Sequence, residues 1–409
     1  MDEYARHKKL FKYLTPVGRA FLGLCYGMEF EPIELEGPSI LICNHVTNLD
    51  PIYLACCLKN SHTYFVASEH LSRMGKITEI LQYLTSFIPQ KKGNSAMATV
   101  KACIRHVQAG HSVAIFAEGN TCWDGISDQI VSATGKLVKM ARVPLVTFRL
   151  EGAYLSAPRW RKGIRRGRIK IHPVKVYSPE EIKKMTFEEV NEAINQDIYE
   201  NIWDQQAKNP VAYSGKNRAD GLERALFLCP ECKKIGTLHS HGNVLACQCG
   251  FERKLNQYGF FEPAAPFANI HEWDVWQKEE LMKLKAEAVL SESAPETITQ
   301  SESAPEVMTQ PEPAPEVMTQ QNPQLLFGDD KATLYKIAND HEMENLGTGR
   351  IEQFGDKITA CGHIFPLEQL EGIAIVNTRR LLFTCDKIYY EVRGGSYTCM
   401  RKYFLFNKE

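Results

Sequence analysis

The sequence predicts an α/β sheet flanked by helices, followed by a cysteine-bearing module, a repeat linker and a small β-rich domain. Three observations carry that reading. Short apolar runs alternate with amphipathic segments as far as residue 176. Four cysteines crowd into residues 229–249. From 325 to 409, apolar and polar residues alternate, as in GRIEQFGDKITACG and LLFTCDKIYYEV.

The elements follow in order. PSILIC (38–43) reads as a short buried strand. PIYLACCLKN then reads as a helix start, with Asp50 as N-cap and Pro51 at the first position. TYFVAS is a second strand, LSRMGKITEILQYL a helix and SFIPQ an extended run. SAMATVKACIRHVQAG is a helix closed by Gly110, whose missing Cβ permits a left-handed C-terminus. HSVAIFAEG, PLVTFRL and GRIKIHPVKVY are further strands, and FEEVNEAINQDIYENIWDQQ closes the region as one helix. NIHEWDVWQKEELMKLKAEAVL reads as a solvated helix. Three decapeptides follow: SESAPETITQ, SESAPEVMTQ and PEPAPEVMTQ. They carry six Glu and no Lys or Arg, and cannot bury enough apolar surface to offset the ordering entropy of a fold, which makes them a disordered spacer. Beyond it, Phe354-Gly355-Asp356-Lys357 is a hairpin turn.

The chain has 409 residues, 44% of them hydrophobic, enough for a substantial core. The net charge of −1 hides a split. Residues 1–220 balance at +7 and the remainder at −8, so an anionic partner would face the first half. The 13 cysteines are odd in number and include the adjacent Cys56 and Cys57. No secretory signal opens the chain. A reducing cytoplasm with free thiols is the compartment this implies. No apolar run is long enough to cross a bilayer. Leu10, Leu14, Val17, Phe21, Leu24 and Met28 nevertheless recur at helical spacing among Arg6, Lys8, Lys9, Lys12 and Arg19. Such a stripe suits a helix lying in a membrane interface, or one packed on its own domain; Pro16 would kink it.

Four local patterns bear on chemistry. In Asn44-His45-Val46-Thr47-Asn48-Leu49-Asp50 a His leaves a strand and an Asp follows five positions later. A turn can bring the carboxylate to the imidazole, which orients the ring for proton transfer; a purely structural His is the alternative. Phe116-Ala117-Glu118-Gly119-Asn120-Thr121 follows a strand at the end where α/β sheets place ligand loops, where Glu118 suits a polyol or simply a turn. Ser86-Phe87-Ile88-Pro89-Gln90-Lys91-Lys92-Gly93 offers two cations for a phosphate, or a solvated loop. Val143-Pro144-Leu145-Val146 is a strand entry that would shape a pocket wall.

In this order the four resemble the blocks of the glycerolipid acyltransferase family, which includes the lysophosphatidic acid acyltransferases. The resemblance covers about the first half of the chain. Ala117 stands where that family usually has Pro, Asn120 and Thr121 where it has Thr and Arg, and Lys91 or Lys92 where it mostly has Arg. The resemblance implies direct attack of a lysophospholipid hydroxyl on an acyl thioester, acyl-coenzyme A or acyl-carrier protein, with lysophosphatidic acid becoming phosphatidic acid. His45 would be the general base and Asp50 its partner. Lys91, Lys92, Glu118, Gly119, Asn120 and Thr121 would hold the acceptor, and no catalytic metal is needed. A catalytically decayed membrane tether is the competing reading.

Arg159-Trp160-Arg161-Lys162-Gly163-Ile164-Arg165-Arg166-Gly167-Arg168 suits an anionic lipid surface, coenzyme A phosphates or solvent. No RNA- or DNA-binding motif accompanies it, so nucleic acid is not an expected partner. Cys229-Pro-Glu-Cys232 and Cys247-Gln-Cys249-Gly250 resemble a zinc ribbon, with Cys229, Cys232, Cys247 and Cys249 as ligands of a structural zinc and His239 or His241 as substitutes. The expected organisation is a membrane-associating helix at 1–30, an acyltransferase domain at 31–215 and a zinc ribbon at 224–262. A helix at 263–290, the linker at 291–324 and the β-rich domain at 325–409 complete it. The expected location is cytoplasmic, peripheral on the inner face of the cell membrane.

Overall fold

The computed structural model of the chain describes all residues except 1–2, 60, 69–70, 72–75, 86, 91–96, 294–323, 339–341 and 409. Lys91, Lys92 and Gly93 lie outside the described residues, as do the repeats beyond Ser293.

A seven-stranded sheet organises the first half. From edge to edge it runs Met28–Phe30, Ile169–Tyr177, Leu145–Glu151, Ile40–Cys43, Ser112–Ile115, Thr63–Ser68 and Phe87–Gln90. Every neighbouring pair is parallel except Leu145–Glu151 with Ile169–Tyr177. Side chains alternate across the central strand. Ile40 and Ile42 pack with Val107, Leu137 and Ile194 of the helices on one face. Leu41 and Cys43 pack with Phe11 and Tyr53 of the helices on the other. Covering both faces is what permits an uninterrupted apolar strand such as ILIC.

Several boundaries differ from the sequence reading. Asp50 is not an N-cap: Leu49 caps the helix Asp50–Cys57, and the Asp50 side chain turns back toward residues 45–47. The closing helix is two helices, Phe187–Ile198 and Ile202–Lys208. Between them Glu200 turns inward to accept from Gly152 N at 2.5 Å, and Asn201 caps the second helix through Trp203 N and Asp204 N. The expected helix at 263–290 starts at Ile270 and reaches Ser293.

The N-terminal helix Glu3–Tyr26 runs through Pro16 without a break. It has two distinct faces. His7, Phe11, Thr15 and Leu22 are buried. Leu14, Val17, Phe21 and Leu24 are 50–76% exposed. The apolar stripe seen in the sequence is therefore largely the outward face, with Leu10 half-buried and Met28 buried in the first strand. Among the described residues, no helix is long and apolar enough to cross a membrane.

The cysteine module is a four-stranded antiparallel sheet of Leu238–His241, Val244–Cys247, Glu252–Leu255 and Phe261–Glu262. Trp273 of the helix Ile270–Ser293 packs against Phe251, Phe261 and Phe267 below it. The C-terminal region is a second seven-stranded sheet, antiparallel throughout. Its order is His363–Pro366, Lys357–Ala360, Met343–Gln353, Phe327–Ile337, Ile388–Arg393, Arg380–Cys385 and Leu370–Val376. The expected turn at 354–357 is present, with Phe354 N donating to Lys357 O at 2.9 Å. A closing helix, Met400–Asn407, was not read from the sequence. Its Arg401 forms a bidentate pair with Asp274, both fully buried. Removing one partner would strand a buried charge, at a cost of about 3–5 kcal/mol.

Gly152 fixes the approach of the last long strand to the rest of the domain. It sits at φ +74°, and a Cβ there would lie 2.2 Å from the Arg168 carbonyl oxygen. Gly152→Ala is expected to lower the unfolding free energy by about 2 kcal/mol or more. Denaturant midpoints of the two proteins measure this, and an unchanged midpoint would contradict the close approach.

Candidate active site

The parallel strands Ile40–Cys43 and Ser112–Ile115 are neighbours, so the segments that leave their C-terminal ends meet at one edge of the sheet. Asn44 makes the first fixture. Its side-chain amide donates to Leu150 O at 2.9 Å, and its oxygen accepts from Leu150 N at 2.7 Å, extending the strand's pairing by one residue.

His45 and Asp50 come together as the spacing suggested. His45 Nδ1 lies 2.8 Å from Asp50 Oδ2. An ionised carboxylate can only accept, so in the neutral imidazole Nδ1 carries the proton and Nε2 the lone pair. Asp50 also accepts from Val46 N at 2.6 Å, from Thr47 N and from Thr47 Oγ1 at 2.7 Å. The His45 side chain is 21% exposed and that of Asp50 is 0%. The ring can thus meet a substrate while its partner cannot. Phe116 stacks against the imidazole, with centroids 4.7 Å apart.

Glu118 is buried and does not present free oxygens to a polyol. Oε1 accepts from His45 N at 2.6 Å and Oε2 from Asp128 N at 2.8 Å. Burial pushes its carboxyl up to about 8, and the two backbone donors oppose that only in part. Gly119 turns the chain at φ +76°. Asn120 follows and is half-buried. Thr121 is 6% exposed, and its carbonyl accepts from Arg159 Nη1 at 2.7 Å. A narrow, mainly apolar cavity of about 70 Å³ opens beside Phe116, Ala117 and Gly119, lined further by Val66, Cys103 and Leu137.

The basic run is divided between the fold and the surface. The Arg159 guanidinium lies 3.7 Å over the Trp123 ring and also donates to Asn377 O in the C-terminal sheet. Trp160 and Arg165 are buried at 1% and 3% exposure. Arg161 donates to Lys216 O and Asn217 O, and Arg168 pairs with Glu29. Lys162, Arg166 and Arg168 remain exposed, so part of the run still faces outward.

Sequence reasoning missed the residues that grip the loop Thr121–Gly125. Cys122 N donates to His45 O at 2.8 Å. Asp124 Oδ2 lies 2.7 Å from His271 Nδ1, and this contact holds the imidazole above its usual pKa. Asp124 O accepts from Trp203 Nε1 at 2.7 Å. The Arg401 guanidinium also lies over the Trp123 ring, 4.5 Å from its centroid. With a separation of 147 positions between Asp124 and His271, no local pattern could have paired them.

Cys229, Cys232, Cys247 and Cys249 converge, with all four Sγ atoms within 4.8 Å of one another. The Cys229–Cys249 and Cys232–Cys247 sulfur pairs are each 3.7 Å apart. A tetrahedral ion with metal–sulfur bonds of about 2.3 Å needs edges of about 3.8 Å, so the four can hold such an ion. His239 and His241 lie on the strand Leu238–His241 and are not among the converging ligands.

Comparison with known proteins bears on the first half. Residues 27–151 match the family model named Acyltransferase. Among solved structures, the 1-acyl-sn-glycerophosphate (LPA) acyltransferase PlsC from Thermotoga maritima is similar at 18% identity, over 47% of this chain and 78% of that chain, with a TM-score of 0.39. A search of curated proteins returned no match.

Glu118 makes a pH prediction. Its carboxyl binds a proton more tightly in the fold, at about 8, than at its ordinary 4.5. The neutral form therefore contributes stability below its ordinary pKa that is lost as pH rises through about 8. Glu118→Gln fixes a neutral side chain. Wild type should lose stability relative to this variant between about pH 5 and about pH 8. Paired denaturant titrations test this, and a difference that does not change with pH would contradict it.

Proposed function

We propose that this chain, whose residues 27–151 match the Acyltransferase family, is an O-acyltransferase in which His45 is the general base. The observation supporting this most strongly is the 2.8 Å contact between His45 Nδ1 and a fully buried Asp50, which fixes the tautomer that leaves Nε2 basic. In this reading a lipid hydroxyl gives its proton to Nε2 while its oxygen attacks the thioester carbonyl carbon. The carbon–sulfur bond breaks, and the leaving thiolate takes the proton from the imidazolium. Asp50 steadies the imidazolium between those steps. The order of the four sequence blocks points to lysophosphatidic acid as acceptor and to acyl-coenzyme A or acyl-carrier protein as donor. Lys91 and Lys92 would meet the acceptor phosphate. Glu118 would act by holding the His45 backbone, and the apolar cavity beside Phe116 suits hydrocarbon.

Two further parts of the reading concern attachment and folding. The outward stripe of Leu14, Val17, Phe21 and Leu24 would lie in the interface of a lipid bilayer, as expected of a peripheral enzyme on the inner face of the cell membrane. The four cysteines would hold a structural zinc, which supplies a cross-link between the two cysteine turns and no step of the chemistry.

His45→Ala and Asp50→Asn are expected to lower turnover by about 10²-fold to 10⁴-fold, the usual weight of general-base catalysis. An acyl-transfer assay with a panel of lysolipids and both thioester classes measures this. Wild-type turnover in both variants would remove the mechanism.

Phe21→Glu with Leu24→Glu changes only exposed side chains. The pair should weaken binding to neutral vesicles through lost apolar burial, and to anionic vesicles further through the added negative charge. Vesicle sedimentation equal to that of wild type would place the stripe outside any membrane contact.

A further inference from the structure

The loop Thr121–Gly125 has no strand or helix of its own, yet it touches the proposed base directly through Cys122 N and His45 O at 2.8 Å. Its backbone is fixed from within the first half, by Arg159 on Thr121 O, Tyr154 on Trp123 O, Trp203 on Asp124 O and Ile202 on Gly125 O. Its two large side chains face elsewhere. Asp124 meets His271 at 2.7 Å, and the Arg159 and Arg401 guanidiniums both lie over the Trp123 ring. His271 and Asp274 share one helix, and Asp274 grips Arg401 on the terminal helix. That shared helix is itself pinned beside the first cysteine turn. Trp273 Nε1 donates to Leu228 O at 2.9 Å, and Gln277 Oε1 accepts from Phe227 N at 2.9 Å. A chain of short contacts thus runs from the residue before Cys229 to the backbone of His45.

We propose that the C-terminal half completes the acyl-transfer site, with His271, Arg401 and Trp123 as positioning residues that hold the loop Thr121–Gly125 and, through Cys122, His45. The proposal rests on His45 being the base. A reacting group must be held to about 0.5 Å, and a loop reaches that precision only when its side chains are locked by neighbours. Here the neighbours come from elements that follow the matched acyltransferase segment by more than 100 residues. Loosening the loop at Trp123 and Asp124 would leave Lys91 and Lys92, the proposed phosphate contacts, in place, so the loss should appear mainly in kcat and not in KM.

The test uses the full chain and steady-state acyl transfer to a lysolipid, with thermal melting and bound-metal content measured on each protein. His271→Ala and Trp123→Ala are expected to lower kcat by about tenfold or more, with the acceptor KM within about twofold of wild type. The conservative variants His271→Gln, which keeps a donor for Asp124, and Trp123→Phe, which keeps an aromatic face for both guanidiniums, should recover most of the loss. Asp124→Ala combined with His271→Ala should be no worse than Asp124→Ala alone, since that change already removes the His271 contact. Values of kcat near wild type in both alanine variants, alongside an inactive His45→Ala, would overturn this proposal and leave the base assignment standing. Conservative variants as poor as the alanines, with loss of metal and a lowered melting point throughout, would also overturn it, because the contacts would then serve folding alone. A fully active His45→Ala would remove the base assignment and the proposal with it.

Discussion

A buried carboxylate sets the terms for everything at this edge of the sheet. Asp50 is 1% exposed, and an ionised group so placed costs several kcal/mol unless its oxygens are all engaged. The chain meets that demand within six residues, with Val46 N, Thr47 N, Thr47 Oγ1 and His45 Nδ1 all turned on it. The segment can close in essentially one way. Closing it fixes the imidazole plane and its tautomer, and brings Pro51 into the first turn of the helix behind. Glu118 repeats the device from the neighbouring strand, holding His45 N and Asp128 N with its two oxygens. Two acids therefore fix one histidine, one through its ring and one through its backbone.

Which parts of this were legible in the sequence follows from distance along the chain. His45 and Asp50 are five apart, so the pairing is local and a turn suffices to make it. The cysteine turns are also local, and a pair of them announces a four-sulfur cluster whatever lies between. The alternation of strands and helices was readable because the central strands, Ile40–Cys43 and Leu145–Glu151, are largely buried on both faces and so appear as apolar runs. The break at Glu200 had a signal that periodicity concealed: Asn201 is a good cap, with Asp204 in the first turn of the helix it starts. The charge of Glu200 could not reveal that its side chain turns inward to Gly152. Glu118 looked like a ligand because a polar side chain after a strand usually faces the loop, whereas here both oxygens serve the backbone.

The basic run shows a different limit. Composition counts charges and cannot see where they go. Of the six cations between 159 and 168, Arg159 is spent on a tryptophan face and two carbonyls, and Arg165 is buried. The acidic balance of the second half is similarly spent in part within the molecule, with Asp274 satisfied by Arg401, Lys278 and Gln277. The N-terminal helix is the converse case. Its stripe was visible, but only the structure separates a packed face of His7, Phe11 and Thr15 from an apolar face that nothing among the described residues covers.

The account stands on direct transfer of an acyl group from a thioester to a lipid hydroxyl, without an acyl-enzyme. The most direct measurement supplies the purified protein with a labelled acyl thioester, with and without a lysolipid, and follows released thiol, lipid ester and the intact protein mass together. The account predicts one new ester for each thiol released, no release beyond background when the hydroxyl is left out, and an unchanged protein mass. Thiol release without lipid ester, or an acyl group retained on the protein, would contradict it.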